Sequence, residues 1–115
     1  MAVLSSHLLN GVDGTHAGEV SITLTKIDTD GQRSVVFEEK SDEGGRFHRE
    51  LEIVFGAAYE MVIASGAYFA RRDVSSPGMQ ILSEIIVRFS MPDPDARYHI
   101  PVIMSPNSYS CWWSS

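Results

Sequence analysis

The C-terminal stretch Tyr98-His-Ile-Pro-Val-Ile-Met-Ser-Pro-Asn-Ser-Tyr-Ser-Cys-Trp-Trp-Ser-Ser115 decides the fold of this chain, because it predicts a two-stranded hairpin. From residue 98 to residue 104, apolar side chains alternate with a second set that includes His99 and Pro101. This two-residue period is typical of a strand whose two faces differ. Residues 105–108 have turn chemistry, since proline presets φ while asparagine and serine bond their own backbone. A second strand is predicted from residue 109 to the C-terminus.

The turn sets a register that gives one face of the hairpin a distinct chemistry. Pro101 lies opposite Trp112 and His99 lies opposite Ser114, with all four side chains on the same face. A slip of one residue would exchange Trp112 for Trp113 on that face. The hairpin therefore gathers a titratable histidine, a hydroxyl and a large aromatic ring at the end of a sheet.

The rest of the chain consists of short strands separated by turns. Strands are predicted at residues 2–9, 20–25, 34–38, 46–51, 57–65 and 81–91. Residues 66–72 form the only predicted helix, which ends at 75–78, and residues 92–95 form a rigid loop before the final hairpin. Many short strands at regular spacing predict a β-sandwich. Because the sequence contains no linker-like stretch, we expect residues 1–115 to form one domain.

Composition and charge exclude several functional classes. The 115 residues are 43% hydrophobic and 21% charged, as in an ordinary globular protein, and the net charge of −6 argues against nucleic-acid binding. The apolar runs are too short for a membrane span, none follows a basic start, and the closing residues are not Ser-Lys-Leu, so we expect neither a signal peptide nor a peroxisomal signal. The single cysteine, Cys111, indicates a reducing, cytoplasmic location and is expected to be a small buried residue. No zinc-type spacing occurs, so no metal is expected.

The final hairpin resembles the C-terminal signature of the transthyretin-like family, whose enzymes are the 5-hydroxyisourate hydrolases. Those enzymes typically carry His-Tyr-His-Val-Pro-Leu-Leu, Ser-Pro, Tyr-Ser-Thr and a closing Tyr-Arg-Gly-Ser. The matching text here is Arg97-Tyr-His-Ile-Pro101, Ser105-Pro106, Tyr109-Ser-Cys111 and Trp112-Trp-Ser-Ser115. Motifs around His7, Arg46 and Gly66 are similar as well, with Asn10 in place of an Asp that caps a turn. The resemblance implies an all-β, transthyretin-like two-sheet sandwich with one short helix.

The resemblance also implies a catalytic set of His7, Arg46 and His99 and the opening of a cyclic ureide by water without a cofactor. Histidine supplies a base near neutral pH, and arginine supplies fixed planar donors for the ureide oxygens. Either histidine could be the base. Each residue also has an interpretation without function: His7 as a half-exposed strand residue, Arg46 as a solvated charge at a turn, and His99 as a packed core or interface residue. His16 and His48 match no motif and are predicted to be solvated surface residues.

Substrate contacts are predicted on the outer hairpin face, from Pro101, Trp112, Ser114 and Ser115. The closing Trp-Trp-Ser-Ser departs from the family's Tyr-Arg-Gly-Ser. One interpretation is that one aromatic wall replaces another. The other is that losing an arginine and gaining two indoles reshapes the pocket for a larger or more apolar ligand.

Three functions follow from the resemblance. The first is a hydrolase of 5-hydroxyisourate or a related cyclic ureide or amide, working in an inter-subunit channel of a homotetramer built as a dimer of dimers. A small domain with an apolar, histidine-bearing outer face has reason to bury that face against copies of itself. The alternative is a diverged member that catalyses another small-molecule ring reaction, such as one in natural-product biosynthesis, in an indole-walled pocket. The third is a non-catalytic small-molecule carrier, which retention of the His-Arg-His set argues against.

Overall fold

The computed structural model describes residues 1–72 and 78–114, which form two sheets and one short helix. The strands are β1 (Ala2–Asn10), β2 (Ser21–Ile27), β3 (Arg33–Lys40), β4 (Arg46–Leu51), β5 (Ala58–Ile63), β6 (Ile85–Phe89), β7 (Arg97–His99), β8 (Val102–Ser105) and β9 (Ser108–Cys111), and the helix is α1 (Ser65–Arg71). The predicted all-β sandwich with one helix is confirmed. No helix within these ranges is long and apolar enough to cross a membrane.

The first sheet is built around β1 and carries the surface on which the site lies. Its order is β4-β1-β8-β9, with β7 also paired to β1. β1 is antiparallel to β4 and parallel to both β7 and β8, and β8 is antiparallel to β9. The second sheet has the order β3-β2-β5-β6 and is antiparallel throughout.

Strand alternation separates the core face of the first sheet from its outer face. Along β1, every second residue is buried, so that Leu4 and Leu8 lie in the core while Ser5 and His7 face outward. The core is filled from both sheets by apolar side chains, among them Ile22, Leu24, Tyr59, Met61, Ile63, Ile85, Val102 and Met104. Removing this apolar surface from water is the main stabilising term that holds the sheets together.

The turn after β1 is capped by Asn10, as the sequence predicts. The Asn10 side-chain oxygen accepts hydrogen bonds from the backbone N–H groups of Val12 at 2.9 Å and Asp13 at 3.3 Å. Its amide nitrogen donates to the Tyr68 hydroxyl at 3.2 Å, which ties β1 to α1. Asparagine thus caps the turn without the charge of an aspartate.

Gly45 fixes the start of β4 against β1. Its φ is +78°, and a Cβ there would lie 2.3 Å from the Leu8 carbonyl oxygen. The Leu8 N–H donates to the Gly45 carbonyl at 2.7 Å. Only glycine fits this close, left-handed approach, and it places Arg46 directly opposite His7 in the β1–β4 register.

The long strand predicted at residues 81–91 is wrong in its first half, since β6 begins only at Ile85. The Asn107 side chain accepts a hydrogen bond from the Ile81 N–H at 2.6 Å and donates to the Met79 carbonyl at 2.8 Å. The segment before β6 is therefore bound to the β8–β9 turn and not to a neighbouring strand. The predicted helix is confirmed, although most of its predicted end at 75–78 lies outside the described residues.

The first strand of the final hairpin is divided, contrary to the continuous strand predicted. Ile100 and Pro101 separate β7 from β8, because proline has no N–H to donate to the ladder. β1 nevertheless pairs with both pieces in one register. The second strand, β9, ends at Cys111 and not at the C-terminus. Cys111 is exposed, so its predicted burial is wrong: β9 is an edge strand whose residues are all exposed.

Candidate active site

Two cross-strand rows of side chains cover the outer face of the first sheet. The first row is His48, Ser5, His99 and Ser114, and the second is Arg46, His7, Pro101 and Trp112. His99 and Ser114 exchange backbone hydrogen bonds of 3.0 and 2.8 Å, and the Trp112 N–H donates to the Pro101 carbonyl at 3.4 Å. The hairpin register predicted from the sequence is confirmed. Side chains within a row are cross-strand neighbours on one face.

An open cavity of about 380 Å³ lies over the first row and the turn before β4. It is lined by Ser5, Ser6, Asp42, Arg46, Phe47, His48 and His99. Two of the three predicted catalytic residues, Arg46 and His99, therefore border one space. His7 belongs to the second row, next to Arg46, but does not line the cavity.

His99 is held by Ser5 on the neighbouring strand. The Ser5 Oγ lies 2.8 Å from His99 Nδ1, within hydrogen-bond distance. No residue within 1–72 and 78–114 hydrogen-bonds His99 Nε2. One ring nitrogen is thus anchored by protein, and the other is available to a ligand.

Arg46 is fixed through its backbone while its guanidinium stays available. The Asp42 carboxylate accepts hydrogen bonds from the Arg46 and Gly44 backbone N–H groups, both at 2.9 Å. The Asp42 N–H in turn donates to the Arg46 carbonyl at 2.8 Å. Within the part of the chain that the structure describes, the guanidinium forms neither a hydrogen bond nor an ion pair. A positioned cation therefore borders the cavity without a direct ion-pair partner among the described residues, and the Asp42 carboxylate lines the same cavity.

The His7 side chain contacts His16 and does not line the cavity. His7 Nε2 lies 2.8 Å from His16 Nδ1, and the two rings stack with centroids 4.9 Å apart at 28°. The pKa of His7 is lowered, first by partial burial and then by the positive charges of Arg46 and, when protonated, His16, while a hydrogen bond with the Gly44 backbone opposes the change. His7 is therefore neutral around pH 7.

Two histidines predicted to be solvated surface residues take part in this face. His16 and His48 are exposed, as predicted, but His48 lines the cavity and His16 bonds His7. Strand alternation could have found His48, because it lies two residues after Arg46 and so shares its face. No sequence pattern near His16 predicts its contact with His7, because the path of the turn after β1 brings the two residues together.

The two tryptophans of the tail lie in different surroundings. Trp112 is 47% exposed and shares the face of His99 and Pro101. Trp113 instead borders an apolar hollow of about 310 Å³ with Phe89, Tyr98 and neighbouring residues. The backbone of Ser114 bonds His99, and Ser115 lies outside the described residues. Neither Trp112 nor Ser114 lines the cavity that holds Arg46.

Among the described residues, no group of three or more His, Cys, Asp and Glu side chains is arranged to hold a metal ion. The polar side chains that line the cavity are two imidazoles, two hydroxyls, the Arg46 guanidinium and the Asp42 carboxylate. They suit the binding of a polar, neutral or anionic small molecule by hydrogen bonds.

Known proteins similar to this chain share both its sequence pattern and its fold. The HIUase/Transthyretin family matches residues 4–113. The 5-hydroxyisourate hydrolase of Ralstonia nicotianae is 32% identical over 118 positions, covering 100% of both proteins. Among solved structures, an (S)-allantoin synthase is similar, with a TM-score of 0.85 and 28% identity. The match covers 99% of this chain but only 44% of the synthase chain. The 5-hydroxyisourate hydrolase of Klebsiella pneumoniae is similar in fold, with a TM-score of 0.78 and 23% identity over 98% of this chain and 99% of its own.

Proposed function

Because this chain belongs to the HIUase/Transthyretin family, we propose that it is a hydrolase that opens the ring of 5-hydroxyisourate or a closely related cyclic ureide. The observation that carries the proposal is the shared cavity of Arg46 and His99. It combines a cation that has no partner among the described residues with an imidazole anchored through one nitrogen. A base that activates water and a cation that stabilises the carbonyl oxygen both accelerate the hydrolysis of a ureide.

His99 is the proposed general base. When its Nδ1–H donates to the Ser5 hydroxyl, Nε2 carries the lone pair that takes a proton from water. The water oxygen bonds to a ring carbonyl carbon, the adjacent C–N bond then breaks, and the leaving nitrogen takes up the proton from His99. One water is added and one ring bond is lost, so the histidine returns to its starting state.

Arg46 is the proposed stabiliser of the charge that develops on the attacked carbonyl oxygen. Its planar donors can meet two oxygens of a ureide, and its backbone is already fixed by Asp42. His7 has its Nε2 bonded to His16 and is neutral near pH 7. We therefore assign His7 to the wall beside Arg46, where it packs the site without adding a second charge.

The working form is proposed to be a homotetramer, a dimer of dimers in which outer faces of the first sheet meet across a channel. One chain leaves the cavity open to solvent, and exposed apolar side chains, Ile103 and Trp112, lie on the same face. A second copy would enclose the cavity and remove that apolar surface from water. Pro101, Trp112, Ser114 and Ser115 are the proposed substrate contacts in the enclosed form.

A direct assay tests the hydrolase proposal. The ultraviolet absorbance of freshly generated 5-hydroxyisourate is followed with and without protein, and mass spectrometry of the product shows whether one water has been added. We expect the ring to open faster in proportion to protein concentration. Decay at the protein-free rate around neutral pH would contradict the proposal.

A second candidate is another ring reaction at the same site, and Trp112 is the observation that favours it. The indole stands on the site face where the family's hydrolases have a tyrosine, so a phenol is lost and apolar wall is gained. Restoring the family tail with Trp112→Tyr, Trp113→Arg and Ser114→Gly should then raise the rate on 5-hydroxyisourate and weaken activity on a bulkier ring. Equal rates in the parent and restored proteins would make the tail a passive substitution. A carrier needs no base, so the anchored His99 favours catalysis over transport.

A further inference from the structure

An imidazole–imidazole hydrogen bond joins the proposed site to a residue that no family motif includes. His16, in the turn between β1 and β2, lies with its Nδ1 2.8 Å from His7 Nε2. The stacked rings have centroids 4.9 Å apart at 28°, so both bonding and packing fix their relative orientation. The backbone holds His16 in place, because Leu9 bridges to it and the next residue, Ala17, donates to the Leu8 carbonyl at 2.9 Å.

Counting hydrogens assigns a direction to this bond. The Gly44 backbone raises the pKa of His7, which is the effect expected of a carbonyl oxygen that faces a ring N–H. Because Nε2 faces His16, we infer that Nδ1 is the nitrogen that carries the hydrogen in neutral His7. Neutral His7 then offers only a lone pair at Nε2, which accepts the Nδ1–H of His16. His7 Nε2 is thus occupied by His16, whose own side chain is exposed.

From this geometry we propose that His16 is a positioning residue, which locks the His7 ring beside Arg46 and withdraws it from the role of general base. The proposal rests on the hydrolase function proposed above and deepens it by assigning proton abstraction to His99. Without His16, the His7 ring could rotate, and its freed Nε2 could compete for substrate or for the Arg46 guanidinium. A small displacement in such a site is costly for catalysis.

Charged groups approach the histidine pair from two sides. Arg46 on β4 and His99 on β7 act on His7 from the sheet. On the far side, His16 borders an open hollow lined also by Glu19, Glu43, Tyr68, Arg71 and Arg72. Of these, Arg72 already pairs with Asp13 at 2.9 Å, and Arg71 donates to the Glu19 carbonyl at 2.9 Å. No carboxylate among the described residues hydrogen-bonds either ring.

Two substitutions of His16 separate positioning from a structural role. His16→Asn keeps a hydrogen-bond donor near the place of Nδ1, whereas His16→Ala removes it. NMR titration of the His7 ring in the parent protein and both variants measures the pair without any substrate. In His16→Ala, the pKa of His7 should rise toward 6.5, because partial burial and the neighbouring imidazole are both relieved.

On 5-hydroxyisourate, His16→Ala should lower kcat about tenfold with little change in KM, while His16→Asn stays within about threefold of the parent. In the parent, the acid limb of the kcat/KM profile should follow the pKa measured for His99 and not that for His7. Thermal melting of each variant reports whether it is folded. An unchanged His7 titration in His16→Ala, or equal kcat in all three folded proteins, would overturn the inference. If the parent does not act on 5-hydroxyisourate, the hydrolase proposal fails while the NMR titration still decides whether the pair exists.

Discussion

At the scale of single residues, the bond between Ser5 and His99 decides which histidine nitrogen meets the substrate. The Ser5 Oγ lies 2.8 Å from His99 Nδ1, which leaves Nε2 facing the cavity. The pair places a base and its anchor on neighbouring strands, in the same cross-strand row. His7 in the adjacent row has its Nε2 bonded to His16 already.

Replacement of Ser5 should therefore impair catalysis without unfolding the protein. We expect Ser5→Ala to lower kcat about tenfold, because the His99 ring loses its anchor, and Ser5→Thr to retain most of the activity since the hydroxyl is kept. Steady-state kinetics with 5-hydroxyisourate measure this, and thermal melting checks the fold. If the alanine and threonine variants turn over at the same rate, the hydroxyl does not orient the base.

From the sequence, the candidate residues could be named but not their contacts. His7, Arg46 and His99 could be named because they fall on family motifs, and the resemblance behind that choice is confirmed by the family match. His16 could not be linked to His7, because their contact depends on the path of the turn between β1 and β2. Likewise, alternation alone could not show that the edge position of Cys111 leaves it exposed.

At the scale of single elements, the turn before β4 controls where Arg46 stands. Gly45 has φ of +78° and packs against the β1 backbone so closely that a Cβ would lie 2.3 Å from the Leu8 carbonyl oxygen. Gly31, in the β2–β3 turn, has a similar φ of +87° but open space around it. The two glycines share a backbone conformation and differ in their surroundings.

Alanine substitutions at these two glycines should therefore differ in cost. Gly31→Ala should lower the free energy of unfolding by about 1 kcal/mol, which is the cost of a left-handed conformation alone. Gly45→Ala should lower it by roughly 3 kcal/mol or more, because the clash with Leu8 adds to that cost. Urea denaturation of both variants gives the comparison. Equal losses would mean that the β1–β4 contact is not tight.

The positions of strands could be predicted where the sequence alternates with a simple period. The prediction was wrong where a long-range side-chain contact determines the backbone path. The hairpin register followed from the turn at residues 105–108, and Ser114 indeed pairs with His99. The first half of the strand predicted at 81–91 failed because Asn107 bonds Met79 and Ile81 from another sheet. No periodicity within the segment carries information about such a long-range contact.

At the scale of the whole molecule, a carboxylate held by two arginines ties the second sheet together. Glu60 on β5 accepts from Arg33 of β3 at 2.8 Å and from Arg88 of β6 at 2.9 Å. The hydrogen bond from Arg33 and then that from Arg88 lower the pKa of Glu60 from 4.5 to about 2. Since the folded-state pKa is depressed, this contribution to stability is present above about pH 4.5 and is lost as the pH falls toward 2.

The pH dependence of unfolding should therefore change when Glu60 is replaced. We expect Glu60→Gln to lower the melting temperature at pH 7 and to flatten its decline between pH 4.5 and 2. Glu38→Gln is the matched control, because Glu38 is exposed and forms no ion pair among the residues described. Parallel curves for Glu60→Gln and the parent protein would show that the three-strand ion pair does not stabilise the fold.

The proposed tetramer is also a property of the whole molecule. Sedimentation at micromolar concentration should give a tetramer, because the outer face of the first sheet leaves Ile103 and Trp112 exposed beside an open cavity. Ile103→Glu, which puts a charge on this face outside the cavity, should weaken the tetramer. A stable monomer of 12.7 kDa for the parent would remove the proposed channel.

Two arginines of β4 test most directly whether hydrolysis takes place in the cavity shared by Arg46 and His99. Arg46 borders the cavity, whereas Arg49 pairs with Glu39 and lies over the Phe37 ring at 5.1 Å. The measurement is kcat/KM for 5-hydroxyisourate in Arg46→Ala, Arg49→Ala and the parent protein, each verified as folded. We predict a loss of roughly a hundredfold or more for Arg46→Ala and a change within about threefold for Arg49→Ala. Near-parent activity in Arg46→Ala would contradict the account.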